Sequence, residues 1–205
     1  MDDRYLTISR ESNAEIKVKA SRFIGETCLV ESVDGALSRL TAIRKREHAA
    51  THHCFAYRVG LGDETAFKYS DDGEPSGTAG KPIYDLILGG DLTNSLVVVT
   101  RYFGGTKLGT GGLAHAYGDC ARAALEKSGI AEHFVMSRFR FGMEFSLYDR
   151  WRTILHRLKA SEIDADFAAA VASRVEIRRG RADELIRAFT ELTAGKGTCE
   201  PIGNE

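Results

Sequence analysis

The chain has 205 residues, 43% of them hydrophobic and 28% charged, with a formal net charge of −1. That is the composition of a globular chain with room for one large or two small domains, and it excludes a disordered polymer. Residues 1–134 carry 16 basic and 18 acidic side chains, and residues 135–205 carry 12 and 11. Neither half has the basic excess that drives nonspecific nucleic-acid binding, which leaves only a local basic patch as an electrostatic footprint.

Residues 5–8 read as a short strand, residues 15–20 alternate, and residues 23–30 continue as a paired strand. A helix fits residues 34–48. Ala36, Leu37, Leu40 and Ile43 share a face, Ser32 or Asp34 caps it, and Arg39, Arg44, Lys45 and Arg46 lie off the apolar stripe. Residues 52–59 alternate again, with Phe55, Tyr57 and Val59 facing one way and His52, Cys54, Ala56 and Arg58 the other. Residues 66–69 pair with them. A glycine-rich block leads into a helix near residues 79–89, and residues 96–100 have the composition of a buried strand. After a second glycine-rich block, Leu113, Ala116, Tyr117, Cys120 and Ala124 make a helical stripe that ends near Gly129.

The pattern changes character near residue 135. Residues 138–145 alternate, Tyr148, Trp151, Leu155 and Leu158 mark a helix face, and residues 164–167 and 174–178 alternate. Leu185, Ile186, Phe189 and Leu192 mark a second helix, and a short strand fits near Thr198. The order βαββαβ is the ferredoxin-like arrangement. Its open sheet face would carry Arg138, Arg140, Glu144, Asp164, Asp166, Arg174, Glu176 and Arg178, with no aromatics to stack bases as RNA-recognition domains do. The longest apolar runs, residues 86–88 and 96–99, fall far short of the ~20 residues of a membrane span. The start lacks a basic region followed by an apolar stretch, so no secretory signal is expected. Cys28, Cys54, Cys120 and Cys199 are scattered, as in a cytoplasmic protein with reduced thiols. Cys54 with His52 or His53 has poor spacing for zinc, and neither a metal nor a cofactor is expected.

Thirteen of the 21 glycines lie between Gly60 and Gly118. Glycine is entropically costly, so such a cluster needs positive φ angles or close backbone approach. The second block leads from a buried strand into a helix. There Gly104, Gly105, Gly109, Thr110, Gly111 and Gly112, with Arg101, Thr106 and Lys107, would form a nest of outward amides flanked by cations. A phosphate, a carboxylate or a nucleic-acid backbone would suit it, although the same residues fit a tight strand-to-helix turn. The pattern is neither a Walker A loop nor a dinucleotide fingerprint. The first block brings Asp71, Asp72 and Glu74, which fit either a cation and acid–base site or exposed turns, together with Ser76, Thr78 and Lys81. His52, a carboxylate of Asp71 or Asp72, and Ser76 would make a catalytic grouping if they met. No residue is assigned a catalytic role.

The segment from Thr51 to Tyr57, the block from Ser70 to Pro82 and the block from Arg101 to Tyr117 closely resemble the IMPACT family in its bacterial form. The resemblance spans about residues 1–130, and residues 135–205 resemble the small C-terminal domain attached in bacterial members. It implies an α/β (α+β) protein of two domains. Residues 1–134 would take the fold of the second domain of a small-subunit ribosomal protein, an α/β sandwich also used by elongation factor G and by a class of small-molecule kinases. Residues 135–205 would be ferredoxin-like, similar to the C-terminal domain of that elongation factor. Eukaryotic members regulate translation through protein contacts that involve an extra N-terminal domain, and this chain starts directly with the IMPACT-like part.

The expectation is therefore a translation-associated binding protein that recognises RNA, the ribosome or a protein partner through its glycine-rich surface. The alternative is an enzyme acting on a phosphorylated small molecule, kinase-like or hydrolytic, with the glycine loop as phosphate site. The third possibility is an interaction module whose glycines are purely architectural. No oligomeric state follows from the sequence.

Overall fold

Alternation in the first half produces a five-stranded sheet with apolar side chains on both faces. In the computed structural model, which describes residues 3–203, the strands are β1 (Arg4–Ile8), β2 (Ser12–Val18), β3 (Ser21–Leu29), β4 (His52–Val59), β5 (Ala66–Ser70), β6 (Ser95–Tyr102) and β7 (Ile130–Phe134). The helices among them are α1 (Val33–Arg46), α2 (Gly80–Gly89) and α3 (Gly109–Ser128). The sheet runs β2-β3-β6-β4-β5, antiparallel throughout. β1 pairs with β7, a strand without a clear signature in the sequence.

Period two sorts β4 and β6 between two cores. Cys54, Ala56, Val97 and Val99 face α2 and α3, with Ile83, Ile87, Leu113, Ala116 and Tyr117. Phe55, Tyr57, Val59, Leu96 and Val98 face α1, with Ala36, Leu40 and Ile43. Each fully buried aliphatic side chain is worth about 1.5–3 kcal/mol, so β6 anchors the unit from both sides. Ser32 caps α1 by accepting the Gly35 amide at 3.0 Å. Leu37, which the helical pattern places in the apolar stripe, lies at its margin and is exposed. α3 ends where Gly129, at φ +65°, donates its amide to the Leu125 carbonyl at 3.2 Å.

The second half forms β8 (Met136–Met143), α4 (Tyr148–Leu158), β9 (Ser161–Phe167), β10 (Val171–Arg178), α5 (Ala182–Thr193) and β11 (Thr198–Ile202). The sheet order β11-β8-β10-β9, antiparallel, is that of a βαββαβ fold. Phe141, Trp151 and Phe189 meet at ring-centroid distances of 4.7–5.1 Å beneath the two helices. The open face is charged, with Arg138 paired to Glu176 and Arg174 to Asp164, while Glu144 falls past the end of β8. A register shift between Arg174 and Val175 brings Glu162 opposite Val175, where it accepts hydrogen bonds from Ser173 and Tyr148.

The described residues divide into two units, Tyr5–His133 and the remainder, and Asp3 belongs with the second. There its carboxylate accepts from Arg178 at 3.1 Å and from the Gly180 amide at 2.9 Å. Among the described residues no helix is long and apolar enough to cross a membrane.

Candidate functional site

The two glycine blocks meet at one buried carboxylate. Glu74 receives Arg101 Nη1 at 2.5 Å and the Tyr117 hydroxyl at 2.9 Å. Both side chains of the ion pair are only 5% exposed. Tyr117 comes from the middle of α3, and Arg101 from the end of β6 on the face shared with Val97 and Val99. The Arg101 guanidinium lies between the rings of Phe23, at 5.4 Å, and Phe103, at 5.2 Å, and reaches Ser21 Oγ at 3.3 Å. Its charge is thus neutralised inside the protein. Arg101 is not an arm of an external anion site, because period two turns it towards the α3 core, where a buried cation requires a buried anion.

His52 lies beside this pair. Its Nδ1 is 2.8 Å from the Asp72 carbonyl oxygen, which can only accept, so Nδ1 carries the proton. Its Nε2 is 3.8 Å from Glu74. The expected grouping of His52, Asp71 or Asp72, and Ser76 does not form. The carboxylate near His52 is Glu74, and Ser76 is exposed. Burial pushes the Tyr117 phenol and the Cys54 thiol far above their ordinary values, so both stay protonated at neutral pH. Neither is an activated nucleophile.

The acids of the first block point to three different partners. Asp71 accepts the amides of Gly77 at 2.9 Å, Ala79 at 2.9 Å and Gly80 at 2.8 Å, and so caps the start of α2. Asp72 takes Arg44 at 2.6 Å and the His53 amide at 2.7 Å. Glu74 holds Arg101. Among the described residues no three His, Cys, Asp or Glu side chains converge to hold a metal ion. The Thr78 hydroxyl donates to the Pro75 carbonyl at 2.6 Å, and Lys81 pairs with Asp85 one turn along α2 at 2.5 Å. The first block is therefore chiefly a wrapping for Glu74 and a cap for α2.

The second block divides in two. Gly104 packs so closely on the turn between β2 and β3 that a Cβ would fall 1.9 Å from the Ala20 carbonyl oxygen. Beyond it, Gly105, Thr106, Lys107, Gly109, Thr110 and Gly111 are exposed. A Cβ at Gly105, Gly109 or Gly111 would meet nothing within 4 Å, so the backbone there is open to approach. α3 starts at Gly109 without a side-chain cap, and no acid occupies its first turn. Lys19, in the β2–β3 turn, places Nζ 3.5 Å from the Lys107 carbonyl. Phe103, 46% exposed, stands at the head of the loop.

The Impact N-terminal domain model matches residues 19–125. YvyE, an IMPACT family member of Bacillus subtilis, is 32% identical over 192 residues, covering 94% of this chain and 88% of that protein. YigZ, an IMPACT family member of Escherichia coli, is 31% identical over 180 residues, covering 87% and 88%. The chain belongs to the IMPACT family. A solved structure described as a hypothetical protein matches at 28% identity with a TM-score of 0.71, covering the whole of both chains.

In this family member the site contains residues that motif reading passes over. Tyr117 reads as packing in the helical stripe, although a buried tyrosine hydroxyl needs an acceptor. Ser21, which accepts both Arg101 and the Gly104 amide at 3.2 Å, and Lys19 come from a hairpin about 80 residues upstream of the loop, and no local pattern ties them to it.

Proposed function

We propose that this IMPACT family member is a binding protein that works beside translation and holds an RNA phosphate backbone on the exposed half of its glycine loop. The observation that carries this reading is the uncapped start of α3, where Gly109 and Gly111 leave the amides open and Lys107 and Lys19 supply positive charge. The family resemblance supplies the translation setting, and the exposed ring of Phe103 offers a face for an unpaired base. The enzyme alternative would need a free acid or base beside the loop, and Asp71, Asp72 and Glu74 are each held by an internal partner.

The test is cosedimentation with ribosomes and binding of a labelled single-stranded RNA by wild type and by Lys19→Gln/Lys107→Gln. Both lysines are exposed, so the variant is expected to fold normally. The expected result is weaker binding with a salt slope lower by about 1.4, because two phosphates are no longer neutralised and each accounts for about 0.7 on a single strand. Wild-type protein that neither cosediments nor binds RNA at moderate salt would sink the reading.

A further inference from the structure

The second unit carries a cationic helix face that the glycine loop does not account for. α4 buries Trp151, Leu155 and Leu158, which centres its solvent face on Thr153. Arg150 and Arg157 lie on one flank of that face, Arg152 and His156 on the other, and all four are exposed. Among the described residues at least ten arginines pair with a carboxylate, and Arg150, Arg152 and Arg157 are not among those ten. Three guanidinium groups against one acid, Asp149, on an eleven-residue helix repel one another in the free protein, and a polyanion would relieve that repulsion.

The shape around these charges is specific. A groove of about 380 Å³ runs between α4 and α5, bordered by Arg150 and Arg157 and floored by Ile154, Ala188 and Leu192, with Glu191 its single acid. On the other flank Arg152, Thr153 and His156 line a second groove of about 390 Å³, with Asp149 its single acid. The cations do not converge on a point, as a small anion would require. Arg150 and Arg157 are about 10 Å apart along the helix at 1.5 Å per residue. A ridge with guanidinium groups on both flanks matches a groove bordered by two phosphate strands. The wide, shallow minor groove of A-form RNA has that form, and arginine forks suit phosphate better than lysine does. An acidic peptide presents one line of charge and would engage one flank.

We propose that the exposed face of α4 docks on double-stranded RNA across its minor groove, with Arg150 and Arg157 on one phosphate strand and Arg152 on the other. The inference shares with the loop reading only its partner, RNA.

The experiment measures binding of a labelled RNA duplex of about 16 base pairs as a function of salt. It compares wild type, Arg150→Gln/Arg152→Gln/Arg157→Gln, the loop variant Lys19→Gln/Lys107→Gln, and an equal-charge control, Lys17→Gln/Arg122→Gln/Lys196→Gln. Trp151 fluorescence, from the core beneath α4, verifies folding of the α4 variant, and circular dichroism with thermal melting verifies folding of the loop and control variants. The α4 triple variant is expected to bind more than tenfold more weakly, with a salt slope lower by about 2.7, as three phosphates at about 0.9 each are no longer neutralised. The control is expected to keep the wild-type slope.

Wild-type binding by the α4 triple variant would overturn the proposal and leave the loop reading standing. An unchanged loop variant beside a weakened α4 variant would support the proposal and assign duplex binding to α4. Equal weakening of the control would reduce the effect to net charge and overturn the proposal. Displacement of the duplex by polyglutamate at matched charge would identify an acidic protein as the partner and overturn it too. Absence of wild-type binding to any RNA would sink both readings.

Discussion

Replacing Arg101 with Met keeps an unbranched apolar stem and removes the guanidinium charge, which leaves the Glu74 carboxylate buried at 5% exposure. Its remaining neighbours are the Tyr117 hydroxyl at 2.9 Å and His52 Nε2 at 3.8 Å. Two unit charges about 4 Å apart are worth about 4 kcal/mol at an effective dielectric of about 20. Removing one partner of a buried pair costs about 3–5 kcal/mol, because the other charge is stranded. Glu74→Gln strands the guanidinium in the same way and should cost a similar amount. The double variant strands neither charge, so it should cost about 2–4 kcal/mol less than the sum of the single variants. The assay is urea unfolding followed by circular dichroism, with hydrogen exchange at the β6 amides as a local reporter. The chain's one tryptophan, Trp151, lies in the other unit, so its fluorescence is the wrong probe. A cost below about 1 kcal/mol for Arg101→Met, or additivity within about 0.5 kcal/mol, would refute the buried pair. Loss of RNA binding in an Arg101 variant would then no longer be explained by unfolding.

Gly104→Ala should destabilise the N-terminal unit by about 1–3 kcal/mol or more, because its Cβ would meet the Ala20 carbonyl oxygen at 1.9 Å. Gly111→Ala meets nothing within 4 Å and should raise stability by about 0.5–1 kcal/mol through helix propensity, measured by thermal melting. An unfolded Gly111 variant would mean that the loop is architectural. Asp71→Ala removes the acceptor of three amides at the start of α2 and should cost about 2 kcal/mol or more, with faster exchange at the first turn of α2. Burial holds the His53 imidazole below its ordinary value, with Arg44 in support and against the pull of Asp72. The unfolded chain therefore takes up this proton first on acidification, so stability is full above about pH 6.5 and falls as pH drops below it. In urea titrations His53→Gln should flatten the fall in stability below about pH 6.5, and an unchanged slope would count against a buried neutral imidazole.

The helices, the strands other than β7, the N-cap of α1 and the glycine end of α3 were legible because each carries a period or a cap signal within one or two turns of chain. The stripe from Leu113 to Ala124 and the alternation of β4 are local periodicities, and the side chains obey them. β7 had no such signal, since its residues alternate weakly and are held by pairing with β1 across more than 120 residues. Asp71, Asp72 and Glu74 are neighbours in sequence with one chemistry, and nothing local separates a helix cap, a surface ion pair and a buried carboxylate. Their fates depend on partners 9, 28 and 27 residues away.

Even so, the buried pair left a trace. Val97, Val99 and Arg101 share one face of a strand whose composition demands burial, so period two directs the guanidinium inward. An inward cation needs an anion, and Tyr117 on the apolar stripe of α3 needs an acceptor. Both requirements fall on the same core face, and a single carboxylate satisfies them. The glycines then divide by purpose. Those of the first block let the chain fold back around Glu74, and Gly104 lets the second block lie against the β2–β3 turn. Gly105 and Gly109 turn the chain at φ +86° and +75°, which explains their conformation but not the empty space beside them. Gly111 lies inside the first turn of α3, where an alanine would fit without collision and would favour the helix. Internal packing gives no reason for a glycine there. The ligand proposed to approach the backbone beside the uncapped helix start would give one.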